Sequence, residues 1–344
     1  MTSHFDNPLV EQRELVAGKR VVELADRSVI QISGPDRHEW LNAMLSQRLD
    51  KLTAGDSAEA LLLDAQGHIE QDFQIIEDGA STWLICFEPQ ATKLLRWFDM
   101  VIFRSKVEIR DAGGDYAVIA SFGKPVDLVD HSNSIALVWQ DPWMNEPVGS
   151  VRYSTAAERG PWNFYLSLVL RDRLGEQFAL TPQAGQLALD ALRVAAHRPW
   201  QPNEVDEKTL PQELDWLSSA VHLSKGCYRG QETVAKVHNL GHPPRVLAML
   251  HLDGSANSDA QPGDQVWLGE RLLGRVTTVG QHYELGPIAL AVVARTADDT
   301  VDWWVASPEG DESNRGVAAS GELVVPASAG AAAGIREKRQ GLLG

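Results

Sequence analysis

Residues 225–232 read KGCYRGQE. Gly226 and Gly230 bracket a thiol, Cys227, and leave the backbone free to turn tightly and to admit a ligand. Lys225 stands two residues before the cysteine and Arg229 two after. In an extended segment these three side chains share one side, because strand residues alternate in direction. Two cations beside a thiol favour the thiolate. Tyr228 then faces the other way and anchors the loop. Gln231 and Glu232 open a helix or strand running through Val234 and Val237. The bland alternative is an inert cysteine buried in a glycine turn, since free cysteine is among the most buried residue types. The second cysteine, Cys86, lies in the apolar run WLICF and reads as a packing residue.

Upstream of the motif, Thr181-Pro182 predicts a helix running to about His197, stopped by Pro199. Residues 199–217 then lack a period and contain Pro199, Pro202 and Pro211. An irregular stretch of that length inside a compact protein is often functional. Nearer the N-terminus, Val21, Val22 and Leu24 followed by Val29, Ile30 and Ile32 predict a hairpin around Ala25–Ser28. Gly34-Pro35 opens a helix carrying Trp40, Leu41, Met44 and Leu45. Residues 59–64 and 69–76 predict paired strands around Gln66-Gly67, followed by the Cys86 strand and a helix over 91–100. Further strands are expected at 107–109 and 117–122. This alternation points to an α+β lobe or two interleaved lobes. Beyond residue 245 the pattern changes to short apolar strands at 246–252, 265–268, 271–279, 288–293 and 301–305, the signature of a small all-β barrel or sandwich.

Composition narrows the function. Two cysteines in 344 residues fit a reducing compartment better than a disulfide framework. They also exclude a four-cysteine zinc site or iron–sulfur cluster held by this chain alone. No HxH or CxxC spacing predicts a metal site. The N-terminus has no basic segment leading into an apolar run, and no stretch reaches the length of a membrane span, so a cytoplasmic protein without membrane contact is expected. A net charge of −16 argues against broad nucleic-acid binding. Yet residues 193–245 carry seven Lys and Arg against six Asp and Glu, which reads either as chance or as a local anion site.

The octapeptide resembles the KGCYxGQE signature of the YgfZ family, the folate-binding relatives of the glycine-cleavage T-protein. The resemblance extends to residues 32–56, ISGPDRHEWLNAMLSQRLDKLTAGD, to 61–73, LLLDAQGHIEQDF, to the segment 192–232 that ends in the signature, and to 262–293 in the last third. About residues 20–305 are covered. It implies an α+β fold, T-protein-like and folate-binding, with two interleaved α+β lobes over 1–240, a C-terminal β-barrel over 241–325 and a disordered tail over 326–344. It implies tetrahydrofolate as cofactor in a central channel. It also implies a role in assembling, maintaining or repairing iron–sulfur clusters in client enzymes, including radical enzymes of tRNA modification. Iron–sulfur client proteins or the assembly machinery are then the partners.

The sequence departs from the family pattern at Trp40–Met44, at Ser46-Gln47 with Asp50 displaced, at Lys236 and at Pro243–Arg245. Arg27 stands where some relatives have a folate-facing tryptophan. On this reading Cys227 is the catalytic thiol, with Lys225 and Arg229 beside it, and Gly226, Tyr228, Gly230, Gln231 and Glu232 complete the signature. Arg27, Arg193 and Glu213 are the expected folate contacts, since a carboxylate pairs with the donor edge of a pterin. Two other readings stand beside it. An aminomethyltransferase needs a carboxylate to manage the amine proton, but the matching strand ends Cys86-Phe87-Glu88-Pro89. In a non-catalytic scaffold the signature would only shape a docking loop. A Cys–His hydrolase built on His222 or His238 lacks any recognisable cysteine-protease signature.

Overall fold

The fold was taken from a computed structural model, which describes residues 2–154, 161–175, 178, 180–255, 260–308 and 316–330. Helix α1 (Pro8–Val16) comes first, with Asn7 capping it by accepting from the Leu9 N–H and Pro8 in the first turn, where its missing N–H costs nothing. The Asn-Pro pair was the available sign of this helix, which the hydrophobic pattern does not show.

The expected hairpin at 21–32 does not form. Strand β1 (Val22–Glu23) pairs antiparallel with β7 (Tyr116–Phe122). Strand β2 (Arg27–Ser33) pairs instead with β5 (Ser81–Phe87) and β6 (Glu108–Asp111). The turn at 25–26 therefore passes the chain from one sheet to another. Apolar alternation is the same for either pairing, so local pattern could not separate them. This crossing is what interleaves the lobes.

One lobe is a five-stranded sheet in the order β3-β4-β5-β2-β6. Its hairpin joins β3 (Ser57–Leu63) to β4 (Ile69–Glu77) with a register shift at Leu62/Leu63. Helices α2 (Arg37–Met44) and α3 (Glu88–Val101) accompany it. Ile30, Trp40, Phe73, Phe98 and Cys86 share a buried core there, so Cys86 packs as its apolar run predicted. Asp36 is the cap of α2 and Arg37 its first residue, so Pro35 lies before the helix and does not open it.

The other lobe is a four-stranded sheet, β1-β7-β11-β10, where β10 is Val138–Gln140 and β11 is Phe164–Leu170. A small hairpin, β8 (His131–Ser132) with β9 (Ile135–Ala136), lies between β7 and β10 in the chain. Helix α4 covers Gln186–Ala195 only. Residues 181–184 stay outside it because Val21 bridges Gln183 and the Ala184 N–H donates to the Val21 carbonyl.

The last third closes into a barrel, β12-β15-β14-β13-β16-β17. Its strands are β12 (Arg245–Leu252), β13 (Gln265–Leu268), β14 (Arg271–His282), β15 (Gly286–Ala294), β16 (Trp303–Ala306) and β17 (Val317–Leu323). Closure pairs every strand edge, which leaves no aggregation-prone edge. A single apolar core runs from the four-stranded lobe through α4 into the barrel. Of the disordered tail expected over 326–344, residues 331–344 lie outside the described residues, while Ala329 is buried and its carbonyl meets His242 Nδ1 at 2.6 Å.

Two buried ion networks join the parts. Arg198 Nη2 donates to Glu59 Oε1 of β3 at 2.5 Å, and its Nε donates to Asp141 Oδ2 at 2.9 Å. Burial pushes the Glu59 carboxyl up, while the two carboxylates hold Arg198 protonated. Arg245 at the start of β12 donates to Asp206 at 2.6 Å and to Glu213 at 2.8 Å, tying the irregular 199–217 stretch to the barrel.

Candidate functional site: an exposed thiol on a clamped loop

The signature loop is a turn, not an extended strand, so the same-side arrangement of Lys225, Cys227 and Arg229 does not arise. The Lys225 side chain runs inward, and the residue is only 6% exposed. Its ammonium donates to the carbonyls of Asn42, Leu45 and Gln47. These carbonyls lie at the C-terminal end of α2, where the last turn has no helical donors and a cation also meets the negative end of the helix dipole. Burial brings the Lys225 amine down to about 8. Tyr228 is buried against it, the ammonium lying 5.0 Å from the ring centroid.

Arg229 turns outward and donates to Glu70 Oε2 at 2.8 Å. Gly230 ends the loop with φ +80°, and a Cβ there would meet the Asp64 carbonyl oxygen at 2.6 Å. Glycine is required by both the left-handed backbone and the close approach. Gln231 Nε2 donates back to the Lys225 carbonyl at 3.4 Å, and helix α6 (Gln231–Leu240) follows, α5 being the short Leu217–Ala220 turn. Gly226 differs: its φ is not left-handed, and a Cβ there meets nothing within 4 Å.

The loop is thus pinned to the β3–β4 hairpin and to α2 by Lys225, Tyr228, Arg229 and Gly230. Cys227 is exposed on its outer side, beside the open space at Gly226. Glu232 is exposed as well. The contrast with Cys86 is chemical. Burial pushes the Cys86 thiol up to about 12, so it stays protonated and inert. The imidazoles near in sequence are engaged elsewhere. His238 Nδ1 meets the Tyr153 hydroxyl at 2.9 Å, and His222 Nδ1 accepts the Ser224 N–H at 3.2 Å.

The expected folate contacts separate in space. Arg27 and Arg193 line one cleft, together with Asp26, Gln186, Trp200 and Asn203. Glu213 lies outside it, on the Arg245 pair, where burial raises its carboxyl to about 7. Arg193 is fully buried and spent on protein: it donates to Glu204 Oε2 at 2.7 Å, to Thr278 Oγ1 at 2.6 Å and to the Arg198 carbonyl. Arg27 is different. Its guanidinium stacks 4.7 Å over Trp200 and donates to the Gln201 carbonyl through Nη2 alone. Arg27 Nε, Asp26 Oδ1 and Gln186 Oε1 are buried without a hydrogen-bond partner, and Arg27 Nη1 has only Asp26 Oδ2 at 3.9 Å. Buried polar groups are nearly always paired, so these atoms mark the cleft as the candidate ligand site.

Asp26, Gln186, Trp200 and Glu204 were not singled out in the sequence. The signal for the last two was the aperiodic, proline-rich stretch 199–217. Asp26 and Gln186 carried none, because their meeting depends on the crossing of the two lobes. Among the described residues no cluster of three His, Cys, Asp or Glu side chains is arranged to hold a metal ion.

No protein-family model matches the chain. The tRNA-modifying protein YgfZ of Colwellia psychrerythraea is 24% identical over 299 residues, spanning 81% of this chain and 86% of that protein. The YgfZ protein of Cronobacter sakazakii is 25% identical over 261 residues, spanning 72% and 74%. Among solved structures, the glycine cleavage system aminomethyltransferase T of Bartonella henselae superposes with a TM-score of 0.70 at 16% identity, over 92% of this chain and 88% of that one. The chain is thus similar to YgfZ proteins over most of its length, on a T-protein-like fold. An iron–sulfur cluster assembly factor IBA57 homolog of Mycosarcoma maydis is 26% identical over 245 residues, spanning 64% of this chain and 54% of that protein. The T-protein superposition identifies the α+β lobes and barrel as a T-protein-like fold. Among the described residues, no helix is long and apolar enough to cross a membrane.

Proposed function

We propose that this YgfZ-like protein assists the assembly, maintenance or repair of iron–sulfur clusters in client enzymes, tRNA-modifying radical enzymes among them, and that Cys227 is the group that acts. The observation that carries the proposal is the division of labour in the signature. Lys225, Tyr228, Arg229 and Gly230 hold the loop, and the one thiol it contains is left exposed beside open space. The curated relatives named for tRNA modification and for iron–sulfur cluster assembly support the client class.

Cluster iron is a thiolate-seeking substrate. A chain with two cysteines, one of them buried, offers a single ligand. The other ligands come from the client or the assembly machinery, so Cys227 acts in a shared site. Lys225 and Arg229 are positioning residues here, because their cationic ends are spent on carbonyls and on Glu70. The chain works in the cytoplasm on this reading, without nucleic-acid or membrane contact.

Tetrahydrofolate is the cofactor of the proposal. The unpaired atoms of Arg27, Asp26 and Gln186 fit a pterin edge, which carries both donors and acceptors. The free space between them is about 30 Å³, the room of one or two waters. Trp200, half-buried over Arg27, is therefore the group that must give way. Bound tetrahydrofolate supplies a one-carbon carrier. Arg27 and Asp26 hold its ring edge, and Arg193, locked by Glu204 and Thr278, keeps the wall rigid.

The decisive experiment replaces Cys227 by Ala in cells lacking the gene. The variant accumulates as folded protein yet leaves iron–sulfur enzyme activity unrestored. Full rescue would sink the thiol reading and leave the scaffold reading in its place. Titration with tetrahydrofolate tests the cofactor separately: Arg27→Ala weakens binding at least tenfold and Glu213→Gln does not. Absence of binding to the wild type at millimolar ligand removes folate and leaves the thiol untouched.

A further inference from the structure

The last turn of α3 and the loop after it leave two large apolar side chains in the open. Met100 is 69% exposed and Phe103 89%. Phe103 also takes a left-handed backbone, φ +49°, which bulky residues rarely adopt and which stores strain. The loop is fixed on both sides of it. Trp40 Nε1 of α2 donates to the Val101 carbonyl at 3.2 Å, and the Lys106 N–H donates to Asp36 Oδ2 at 2.7 Å. Phe103 is therefore held outward between two anchors to the α2 region. A lone exposed apolar residue needs no explanation, but this one borders an open cleft of about 590 Å³ that it shares with Trp40 and Ala43 of α2.

Charge marks the surroundings. Lys93, Arg96, Arg104 and Lys106 are exposed, and among the described residues none of the four forms an ion pair. Residues 93–106 set these cations against Asp99 alone, a net +3 within a chain of −16. The cleft itself is mixed, with Asp36 and Glu39 on its α2 side and Arg104 on its loop side. A continuous polyanion, whether nucleic acid or an anionic membrane, would run onto both carboxylates and would meet the field of an acidic protein. A protein segment can set its own carboxylates on the cations and keep an apolar side chain for the cleft. The cleft also adjoins the signature loop. Helix α2 has eight residues, roughly 12 Å at 1.5 Å per residue. Trp40 and Ala43 line the cleft, and the Asn42 and Leu45 carbonyls at the end of the same helix hold Lys225.

We propose that this cleft docks an acidic protein segment, with an apolar side chain entering between Phe103, Trp40 and Ala43 and carboxylates meeting Arg96 and Arg104. That the partner is a client or an assembly factor rests on the function proposed above; the docking itself does not.

The test titrates the full chain with a fluorescein-labelled helical peptide of Glu and Ala carrying one central Phe, followed by anisotropy. Two control peptides replace every Glu by Lys, or the Phe by Ala. The acidic Phe peptide binds saturably and at least tenfold tighter than either control. Phe103→Gly loses at least tenfold affinity yet melts no lower than the wild type, because glycine accepts the left-handed backbone without strain. Arg96→Glu/Arg104→Glu loses as much, and Cys227→Ala loses nothing. Circular dichroism establishes that each variant is folded. Equal binding of the acidic and Lys peptides overturns the proposal, as does unchanged binding by either folded surface variant or absence of saturable binding. So does a single-stranded RNA oligonucleotide or a phosphatidylserine vesicle that binds as tightly as the acidic peptide and loses that affinity in Phe103→Gly. The two readings fail separately. If the peptide does not bind while Cys227→Ala still leaves iron–sulfur enzyme activity unrestored, the docking surface falls and the thiol stands. If Cys227→Ala rescues fully while the peptide binds as described, the thiol falls and the docking surface stands.

Discussion

Replacing Lys225 by Met separates a structural lysine from a catalytic one. Methionine keeps the length and apolar stem, so packing on Tyr228 survives, but the three carbonyls of Asn42, Leu45 and Gln47 lose their donor. Hydrogen bonds to a charged group contribute roughly 1.5–3 kcal/mol each, and a buried acceptor left unpaired costs about 1–3 kcal/mol. The full sum is not realised, because burying an ammonium itself costs several kcal/mol and water can reach some of the freed carbonyls. A net loss of about 2–4 kcal/mol follows. Urea denaturation should show a lower midpoint with an unchanged slope, the mark of altered stability rather than altered compactness.

The pH dependence gives a second readout. Burial lowers the amine from 10.5 to about 8, so between those values the unfolded chain holds the proton more tightly. The wild type therefore gains stability as pH rises through that window. The contribution is complete above 10.5 and lost as pH falls through 8, and the Met variant lacks it. A midpoint shift worth under about 0.5 kcal/mol, the size of an ordinary surface change, would refute the clamp. So would loss of client activity by folded, overexpressed Lys225→Met as complete as that of Cys227→Ala.

Gly230→Ala should cost about 1–3 kcal/mol, through φ +80° and the 2.6 Å approach to the Asp64 carbonyl, whereas Gly226→Ala should leave the melting temperature unchanged. Arg198→Met should cost about 3–5 kcal/mol, since it strands Glu59 and Asp141 without their cation; a loss below about 1 kcal/mol in urea would show the network is not a latch between lobes. Glu213 has its folded carboxyl raised to about 7 against 4.5 unfolded. Its contribution is full below pH 4.5 and lost as pH rises through 7, so the stability gap between wild type and Glu213→Gln should shrink over that window; a constant gap would count against it.

Much of the architecture was legible locally. The β3–β4 hairpin, α3, the Cys86 core strand and five of the six barrel strands, β17 excepted, follow from apolar period, turn residues and proline, because those signals act within a few residues. The crossing at residues 25–27 was not legible. Its strands alternate equally well in a hairpin or in two sheets, and only packing against β7 and β5 chooses.

The site divides in the same way. From the sequence alone came the motif, the single thiol outside a packing run and the impossibility of a cluster held by this chain. Those depend on residue identity and count. Only the tertiary structure decided what the neighbours of Cys227 do. Lys225 turns inward to the α2 carbonyls and Arg229 outward to Glu70, because an irregular turn has no side-chain period and each cation goes to its nearest uncompensated acceptors. It likewise paired Arg193 with Glu204, moved Glu213 to Arg245 and left Arg27 with two nitrogens that donate no hydrogen bond. Partners that lie tens of residues apart in sequence meet only once both lobes and the barrel have folded around them.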